Sequence, residues 1–226
     1  MSCLKAVLPC CLHTNGIRLT EITPGAPENV DAYGGRTWGR KCTLYDRTVD
    51  GPAGVCHLPM RPAFCERARQ ALLQAARSRQ YTCHERGTAV VIQGPRFSSR
   101  AESLMHRQWG GHLVNMTTVP EVVLAKEAGL SYAALALVTD YDCWRENETS
   151  VSVSEVLAMF SKNVKKAADV ILDAVQILGA DSDLSYLDKH KKNRTMPLAH
   201  MEGVTEIRIY SRRMRNRTGL KSRVEP

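Results

Sequence analysis

Apolar runs and helical patterns alternate through the middle of the chain. Residues 89–92, 113–116 and 132–138 form short apolar runs that suit buried strands. A stretch with helical signals follows each of these runs. The order strand, helix, strand, helix, strand, helix predicts an α/β protein with a largely parallel central sheet.

Capping signals mark where the predicted helices begin. Ser99 and Glu102 have the spacing of a capping box and predict a helix over 99–109. Two threonines and a proline open a second helix, over 117–129, which a glycine ends. A second capping box opens a third helix over 152–178. Ahead of these elements, the first 55 residues have only weak periodicity.

Length and composition are those of an ordinary globular protein. The chain has 226 residues, of which 43% are hydrophobic and 24% charged, which is enough for one substantial core or two small ones. No apolar run reaches the roughly 20 residues that a membrane span needs. The apolar N-terminus is short and lacks a cleavage site, so we expect no signal peptide.

Positive charge is concentrated near the C-terminus. Residues 187–226 contain eleven Lys or Arg against four Asp or Glu, so they carry +7 of the total net charge of +8. Residues 1–186 are therefore close to neutral, which argues against a nucleic-acid-binding domain. We expect 187–226 to be a flexible basic tail, and any affinity for nucleic acid or for an acidic partner would reside there.

The cysteines do not form a recognisable framework. There are eight of them, scattered along the chain without a Cys-x-x-Cys pair, which favours free thiols in a reducing cytosol over disulfides. His57 has no second His or Cys at ligand spacing, so we expect no metal site.

The end of the third apolar run carries two carboxylates, Asp140 and Asp142. Their spacing places both on one face if the strand continues. Close carboxylates raise each other's pKa, so one of them could protonate a leaving base while the other accepts from an exocyclic amine. The alternative is an Asp-rich loop whose side chains make turn and cap hydrogen bonds.

The other two strand ends carry further candidates. Asn115, Met116 and Thr117 precede a helix N-terminus, where hydroxyls and N–H groups suit an anion such as phosphate. Simple N-capping by a threonine is the alternative. Phe97, after the first run, could stack on a flat base or could fill the core. His57, among apolar residues, is typical of a structural histidine.

Four strings in this order resemble one family. They are GVCHLPM at 54–60, QGPRFSSRAES at 93–103, VNMTTVPEVVLAKEAG at 114–129 and ALVTDYDCW at 136–144, and they resemble the methylthioadenosine phosphorylases of the purine nucleoside phosphorylase family. The close resemblance spans about residues 45–175. It implies a nucleoside phosphorylase-like, three-layer α/β fold with a mixed, largely parallel central sheet. Residues 1–186 would form this domain, incomplete at its N-terminus.

The resemblance implies a reaction and roles for the base-binding residues. These enzymes split 5′-methylthioadenosine with phosphate into adenine and 5-methylthioribose-1-phosphate, in purine and methionine salvage. Asp140 would protonate adenine at N7, and Asp142 would contact the 6-amino group. Related enzymes for 6-oxopurines carry Asn in place of Asp140 and Glu in place of Ser98, so both residues point to adenine. Phe97 would flank the base.

Further roles follow from the same resemblance. Asn115 and Met116 would contact the ribose, and Thr117 would contact phosphate. The pocket for the methylthio group would be lined by Val153 and Val156. His57 would reach the site of a neighbouring subunit, because the family is typically trimeric. No cofactor is implied, since phosphate is a co-substrate, and the implied location is the cytoplasm, with the nucleus as a second compartment.

The sequence departs from the family at both ends. The family's glycine-rich loop and its Arg-His-Gly segment, which bind phosphate, have no counterpart string here. After about residue 178 the resemblance ends. We therefore expect a shortened form with weak or no turnover. The alternative to an active enzyme is an impaired relative that keeps purine-binding or subunit-assembly surfaces.

Overall fold

The computed structural model describes residues 15–18, 27–46, 48, 52, 54–145 and 153–181. The basic tail and Ser152, the first residue of the second capping box, therefore lie outside the described residues. The strands are β1 (Asn15–Arg18), β2 (Pro27–Val30), β3 (Ala32–Arg36), β4 (Thr88–Ile92), β5 (Leu113–Asn115) and β6 (Ala134–Tyr141). The helices are α1 (Glu66–Ser78), α2 (Arg100–Gln108), α3 (Thr118–Glu127) and α4 (Val153–Gly179).

The described strands form one mixed sheet in the order β2-β6-β1-β5-β4-β3. Strands β3, β4 and β5 are parallel to one another, and β1 is parallel to β6. The β1–β5 and β2–β6 pairs are antiparallel. The predicted mixed, largely parallel α/β sheet is confirmed, but β6 runs opposite to β4 and β5 rather than with them.

Strand β6 is buried on both faces, because helices pack against the sheet on each side. Leu135 and Leu137 pack towards α1 and α4, while Ala134 and Ala136 pack in the cluster that contains α3. The first layer is built mainly from small side chains: Ala68, Ala71, Leu72, Ala75, Ala76, Ala167, Val170, Ala174 and Leu178. Small residues let the two helices lie close to the sheet and to each other, in the three-layer arrangement that the apolar run of β6 requires.

The local signals placed α2 and α3 well. Ser99 is the N-cap of α2, and its hydroxyl and the Glu102 carboxylate form the complete capping box. Helix α3 ends as predicted before Gly129, which adopts a φ of +68°. Helix α1 has no counterpart among the predicted elements, although its buried positions Ala68, Leu72 and Ala75 have helical spacing.

None of the helices in the described ranges is long and apolar enough to cross a membrane.

Candidate functional site

The loops that follow β4, β5 and β6 meet beside α2, although β6 runs in the opposite direction. In the sheet register Ile17 pairs with both Val114 and Asp140, so the end of β6 lies level with the short strand β5. The loop after β6 is then tied to the loop after β4. The Cys143 thiol lies 3.3 Å from the Ser98 carbonyl oxygen, which accepts its hydrogen bond.

The start of α2 makes a second tie to the same loop. Arg100 Nη1 donates to the Trp144 carbonyl oxygen at 3.1 Å. The guanidinium of Arg107, about two helical turns further on, stacks over the Trp144 ring at 3.8 Å. The three predicted strand ends are therefore brought together by side-chain contacts rather than by a common strand direction.

An apolar surface lines the meeting point. Phe97, Met116 and Tyr141, one from each loop region, pack partly buried against a core cluster that includes Val114 and Trp144. Phe97 therefore supports the core and still presents part of its side chain at the surface. Such a partly exposed surface of flat and flexible side chains suits a planar base or a sugar.

Asp140 stands at the edge of this surface. It is partly exposed, and the Thr139 hydroxyl donates to its Oδ2 at 2.6 Å. A carboxyl group held in place by a neighbouring hydroxyl is oriented and can exchange a proton with a bound molecule. The position of this carboxyl is compatible with the predicted acid, and that role stays a prediction.

Asp142 is buried, with 2% of its surface exposed. Burial is the largest cause that raises its pKa, and contacts with the Ser103 hydroxyl, the Cys143 N–H and His106 oppose this effect. The backbone N–H of Cys143 donates to Oδ1 at 3.0 Å. The predicted raised carboxyl pKa thus has a different main cause from the one expected, which was repulsion between Asp140 and Asp142.

His106, on α2, faces Asp142 and was not among the predicted site residues. Burial lowers the pKa of its imidazole, whereas the charges of Asp142 and Glu102 raise it. Its ring also packs against that of Trp109, with the centroids 5.7 Å apart. A neutral imidazole beside a buried carboxyl leaves that carboxyl able to accept from a bound amine.

Asn115 is held rigidly beneath the apolar surface. It is 2% exposed, and its Nδ2 donates to the Thr118 hydroxyl at 2.6 Å. Its Oδ1 has no hydrogen-bond partner among the described residues. A buried oxygen without a donor costs free energy, so this atom is a natural acceptor for a ligand hydroxyl.

Thr117 is the N-cap residue of α3, but its side chain makes no capping hydrogen bond to that helix. The alternative of simple N-capping by Thr117 is thus not what the structure has. The helix is irregular at its start, because Val119 has non-helical dihedral angles of φ −104° and ψ 125°. Backbone N–H groups at such an N-terminus suit an anion.

The loop that carries Phe97 and Ser98 is fixed by an ion pair. Both Arg96 guanidinium nitrogens donate to the Glu102 carboxylate at 2.7 Å. Glu102 also accepts from the Ser99 N–H at 2.8 Å. The capping box and the ion pair therefore share one carboxylate, which joins the loop to the first turn of α2.

A cleft that is open to solvent adjoins this loop. It is lined by Arg36, Trp38, Ile92, Gln93, Gly94, Arg96, Ser98, Glu102 and His106. His106 lines this cleft and also lies near Asp142, and Ser98 lines it and accepts the hydrogen bond from the Cys143 thiol.

Three predicted residues are not among those that the described contacts bring together. His57 is exposed in the loop before α1. Val153 and Val156 belong to α4, but their side chains are outside what the structure describes. Within the described part of the chain, no group of three or more His, Cys, Asp or Glu side chains is placed to hold a metal ion.

The site also contains residues that the motifs did not reveal. Arg40 donates to backbone carbonyls of both the β4 and β5 loops, and Ser103 lies beside Asp142. Ser103 lies within the matched string and on the buried face of α2, so its helical position was a usable signal. Arg40 precedes every matched string and gives no such signal.

One family of proteins matches most of the described region. The sequence model described as the phosphorylase superfamily matches residues 32–176. An S-methyl-5′-thioadenosine phosphorylase of Danio rerio is 52% identical over 172 residues, which are 76% of this chain and 61% of that protein. The enzyme of the same name from Anopheles gambiae is 55% identical over 160 residues, 71% of this chain and 57% of that protein.

Solved structures agree with the sequence relatives. A methylthioadenosine phosphorylase of Schistosoma mansoni in complex with adenine superposes with a TM-score of 0.77 at 40% identity, covering 80% of this chain and 69% of that one. A variant of the Schistosoma enzyme in complex with methylthioadenosine superposes with a TM-score of 0.75, covering 80% and 68%. The chain spans about three fifths of the length of the sequence relatives quoted, 61% and 57%.

Proposed function

Because the chain belongs to the phosphorylase superfamily, we propose that it binds 5′-methylthioadenosine and adenine, and that phosphorolysis of the nucleoside is its reaction. The resemblance of its motifs to methylthioadenosine phosphorylases supports this substrate, and so do the names of the relatives. The Schistosoma relatives were solved with adenine and with methylthioadenosine, and their fold is shared by this chain.

The observation that carries the proposal is the meeting of three loops around one small surface. Phe97 and Met116 supply apolar contact beside Tyr141, and the two residues next to Tyr141 supply a partly exposed carboxyl group, Asp140, and a buried one, Asp142. A 6-aminopurine presents flat faces, a ring nitrogen that accepts a proton and an exocyclic amine that donates. The surface has a partner for each of these features.

Asp140 is the proposed general acid. In the reaction the C1′–N9 bond breaks and its electron pair leaves with the base, while a phosphate oxygen forms the new bond to C1′. Asp140 donates its proton to N7 of the leaving adenine and afterwards takes a proton from solvent. Protonation makes adenine a better leaving group, and the phosphate charge stabilises the positive ribose as the bond stretches.

The remaining residues bind and orient the substrate. Asp142 accepts from the 6-amino group, and Ser98 contributes to the selection of adenine. The Oδ1 of Asn115 accepts from a ribose hydroxyl, and Thr117 contacts phosphate, which is a co-substrate. No cofactor takes part in this scheme.

Some parts of the proposal concern the assembled protein. Val153 and Val156 line the methylthio pocket, and His57 reaches into the site of a neighbouring subunit in a homotrimer. The protein acts in the cytoplasm and also in the nucleus. These parts rest on the resemblance to the family.

The test is phosphate-dependent release of adenine from methylthioadenosine by the purified chain. We expect release that requires phosphate and that falls at least about a hundredfold in Asp140→Asn, because general-acid contributions are of this size. A matched control is Asp181→Asn, whose carboxylate pairs with Arg67 far from the three loops. Release that is equal in wild type and Asp140→Asn contradicts the role of Asp140.

The same samples separate turnover from binding. Binding of adenine without release supports the alternative of an impaired relative that keeps a purine site. A folded protein that neither binds adenine nor releases it contradicts both functions.

A further inference from the structure

Arg40 holds together the two loops that carry Phe97 and Met116. Its Nη1 donates to the Met116 carbonyl oxygen at 2.5 Å and to that of Val119 at 2.8 Å. Its Nη2 donates to the Gln93 carbonyl oxygen at 2.6 Å. The half-buried guanidinium thus donates these three bonds to backbone carbonyls, which are 53, 76 and 79 residues away in sequence.

These three carbonyls lie at critical places of the site. Gln93 is the last residue before Gly94, where the loop with Phe97 begins. Met116 is the residue whose side chain lies over Gly94, and Val119 is the irregular residue at the start of α3. Because the helical ladder is interrupted at Val119, its carbonyl needs a donor from elsewhere, and Arg40 supplies it.

We infer that Arg40 is a positioning residue of the purine site, which sets the distance between the Gly94 turn and Met116 without touching the substrate. The guanidinium is planar and presents its donors in a rigid fork, so it fixes the relative position of all three acceptors at once. The ammonium of a lysine is a point charge on a flexible stem and cannot reproduce this geometry.

Arg40 keeps Met116 close to Gly94, and binding of a base depends on this spacing. The Met116 side chain lies against the Gly94 turn, so the two loops are in direct contact. Release of the Met116 carbonyl lets the whole turn from Asn115 to Thr117 move relative to Phe97. Displacements of about 1 Å in a preorganised site are costly for binding and reaction, on the order of tenfold or more.

The test uses the full chain with Arg40→Lys and Arg40→Met, and it rests in part on the proposed function. Arg79→Met is the matched control, because Arg79, at the C-terminal end of α1, makes an exposed ion pair with Asp173 on α4, outside the three loops. The first readout is the affinity for adenine, measured well below the unfolding temperature of each variant. We expect it to fall about tenfold in both Arg40 variants and to stay at the wild-type value in the control.

A second readout does not depend on ligand. In protein with ¹³C-labelled methionine methyl groups, the Met116 signal, assigned through Met116→Leu, should shift or broaden in Arg40→Lys. The signals of methionines outside the site should keep their positions. Because lysine keeps the charge and much of the side-chain volume, this variant tests the geometry even if Arg40→Met does not fold.

The two readouts show separately whether the proposed function or the positioning role of Arg40 fails. If wild type does not bind adenine, the proposed function fails, and the Met116 signal still decides the role of Arg40. An unchanged Met116 signal together with wild-type adenine affinity in Arg40→Lys overturns the inference. A loss of adenine affinity that is additive with that of Met116→Ala also overturns it, because a residue that acts through Met116 must show coupling to it.

Discussion

A side chain on Gly94 would collide with Met116. An ideal Cβ at Gly94 lies 2.6 Å from the Met116 Sδ, and Gly94 has a φ of +59°. The Met116 side chain therefore lies directly against the Gly94 backbone. This packing joins the turn after β4 to the turn after β5, which are the two sides of the candidate purine site.

Gly94→Ala should therefore weaken adenine binding more than it weakens the fold. The positive φ costs about 1–2 kcal/mol for a residue with a side chain, and the clash additionally displaces Met116. Gly110→Ala is the control, because Gly110 has a φ of +78° but nothing lies within 4 Å of its ideal Cβ. Urea unfolding should show comparable backbone costs, and only Gly94→Ala should lose adenine affinity. Equal affinities for the two variants would mean that the close approach has no role in binding.

The pH dependence of adenine binding should report Asp142. Burial raises the pKa of this carboxyl above its ordinary value of 3.8, and the ionised form is the stronger acceptor for the 6-amino group. Adenine affinity should fall as the pH is lowered through the raised pKa of Asp142. Asp142→Asn should remove this part of the dependence, whereas protonation of adenine itself affects both proteins alike.

The same raised pKa predicts a change in stability of defined sign. The folded state holds the Asp142 proton more tightly than the unfolded chain does, so ionisation lowers the free energy of unfolding as the pH rises from about 3.8 to the raised pKa. Above that range the ionised carboxylate remains a cost. Asp142→Asn should therefore unfold at a higher urea concentration than wild type at neutral pH. A lower midpoint would indicate that its hydrogen bonds outweigh the cost of burial.

Glu102 should affect the free energy of unfolding with a pH dependence opposite to that of Asp142. The hydrogen bonds from Arg96 and then from the Ser99 N–H hold the pKa of its carboxyl well below the ordinary value of 4.5. The contribution is therefore present above pH 4.5 and is lost as the pH falls through the lowered pKa. Glu102→Gln keeps the capping geometry and removes the charge. Its deficit against wild type in urea unfolding should be visible at neutral pH and should shrink on acidification, and a constant deficit would contradict this account.

The layer between α1, α4 and the sheet should be sensitive to loss of volume. Leu72 is 1% exposed, so Leu72→Ala should lower the free energy of unfolding by about 2–5 kcal/mol. Leu172 on α4 is 61% exposed, and Leu172→Ala should change stability little. Similar losses in both variants would show that α4 is covered at Leu172 in solution.

Local signals predicted the elements whose ends are set by neighbouring residues. The capping box of Ser99 and Glu102 acts within one turn of helix, so its spacing alone placed α2. The direction of β6 could not be obtained in this way. A strand that is buried on both faces has the same apolar run whether it is parallel or antiparallel, and its direction depends on the distant strand β1.

The site was predictable where residues lie in the matched strings. Asp140, Asp142, Phe97 and Met116 were named from these strings, and the structure brings their loops together, while their roles remain predictions. Arg40 could not be found, because its partners are backbone carbonyls in distant segments. Every residue has a backbone carbonyl, so the sequence does not indicate which of them will accept a hydrogen bond.

The most direct test of the central claim is the relative affinity for adenine and hypoxanthine, measured by calorimetry on wild type and Asp140→Asn. The ionised Asp142 accepts from the 6-amino group of adenine, and a hydrogen bond to a charged group contributes about 1.5–3 kcal/mol, so wild type should prefer adenine over hypoxanthine by at least about tenfold. Asp140→Asn should reduce or reverse this preference. Equal affinity of wild type for the two bases, or a preference that Asp140→Asn leaves unchanged, would contradict a site built for a 6-aminopurine.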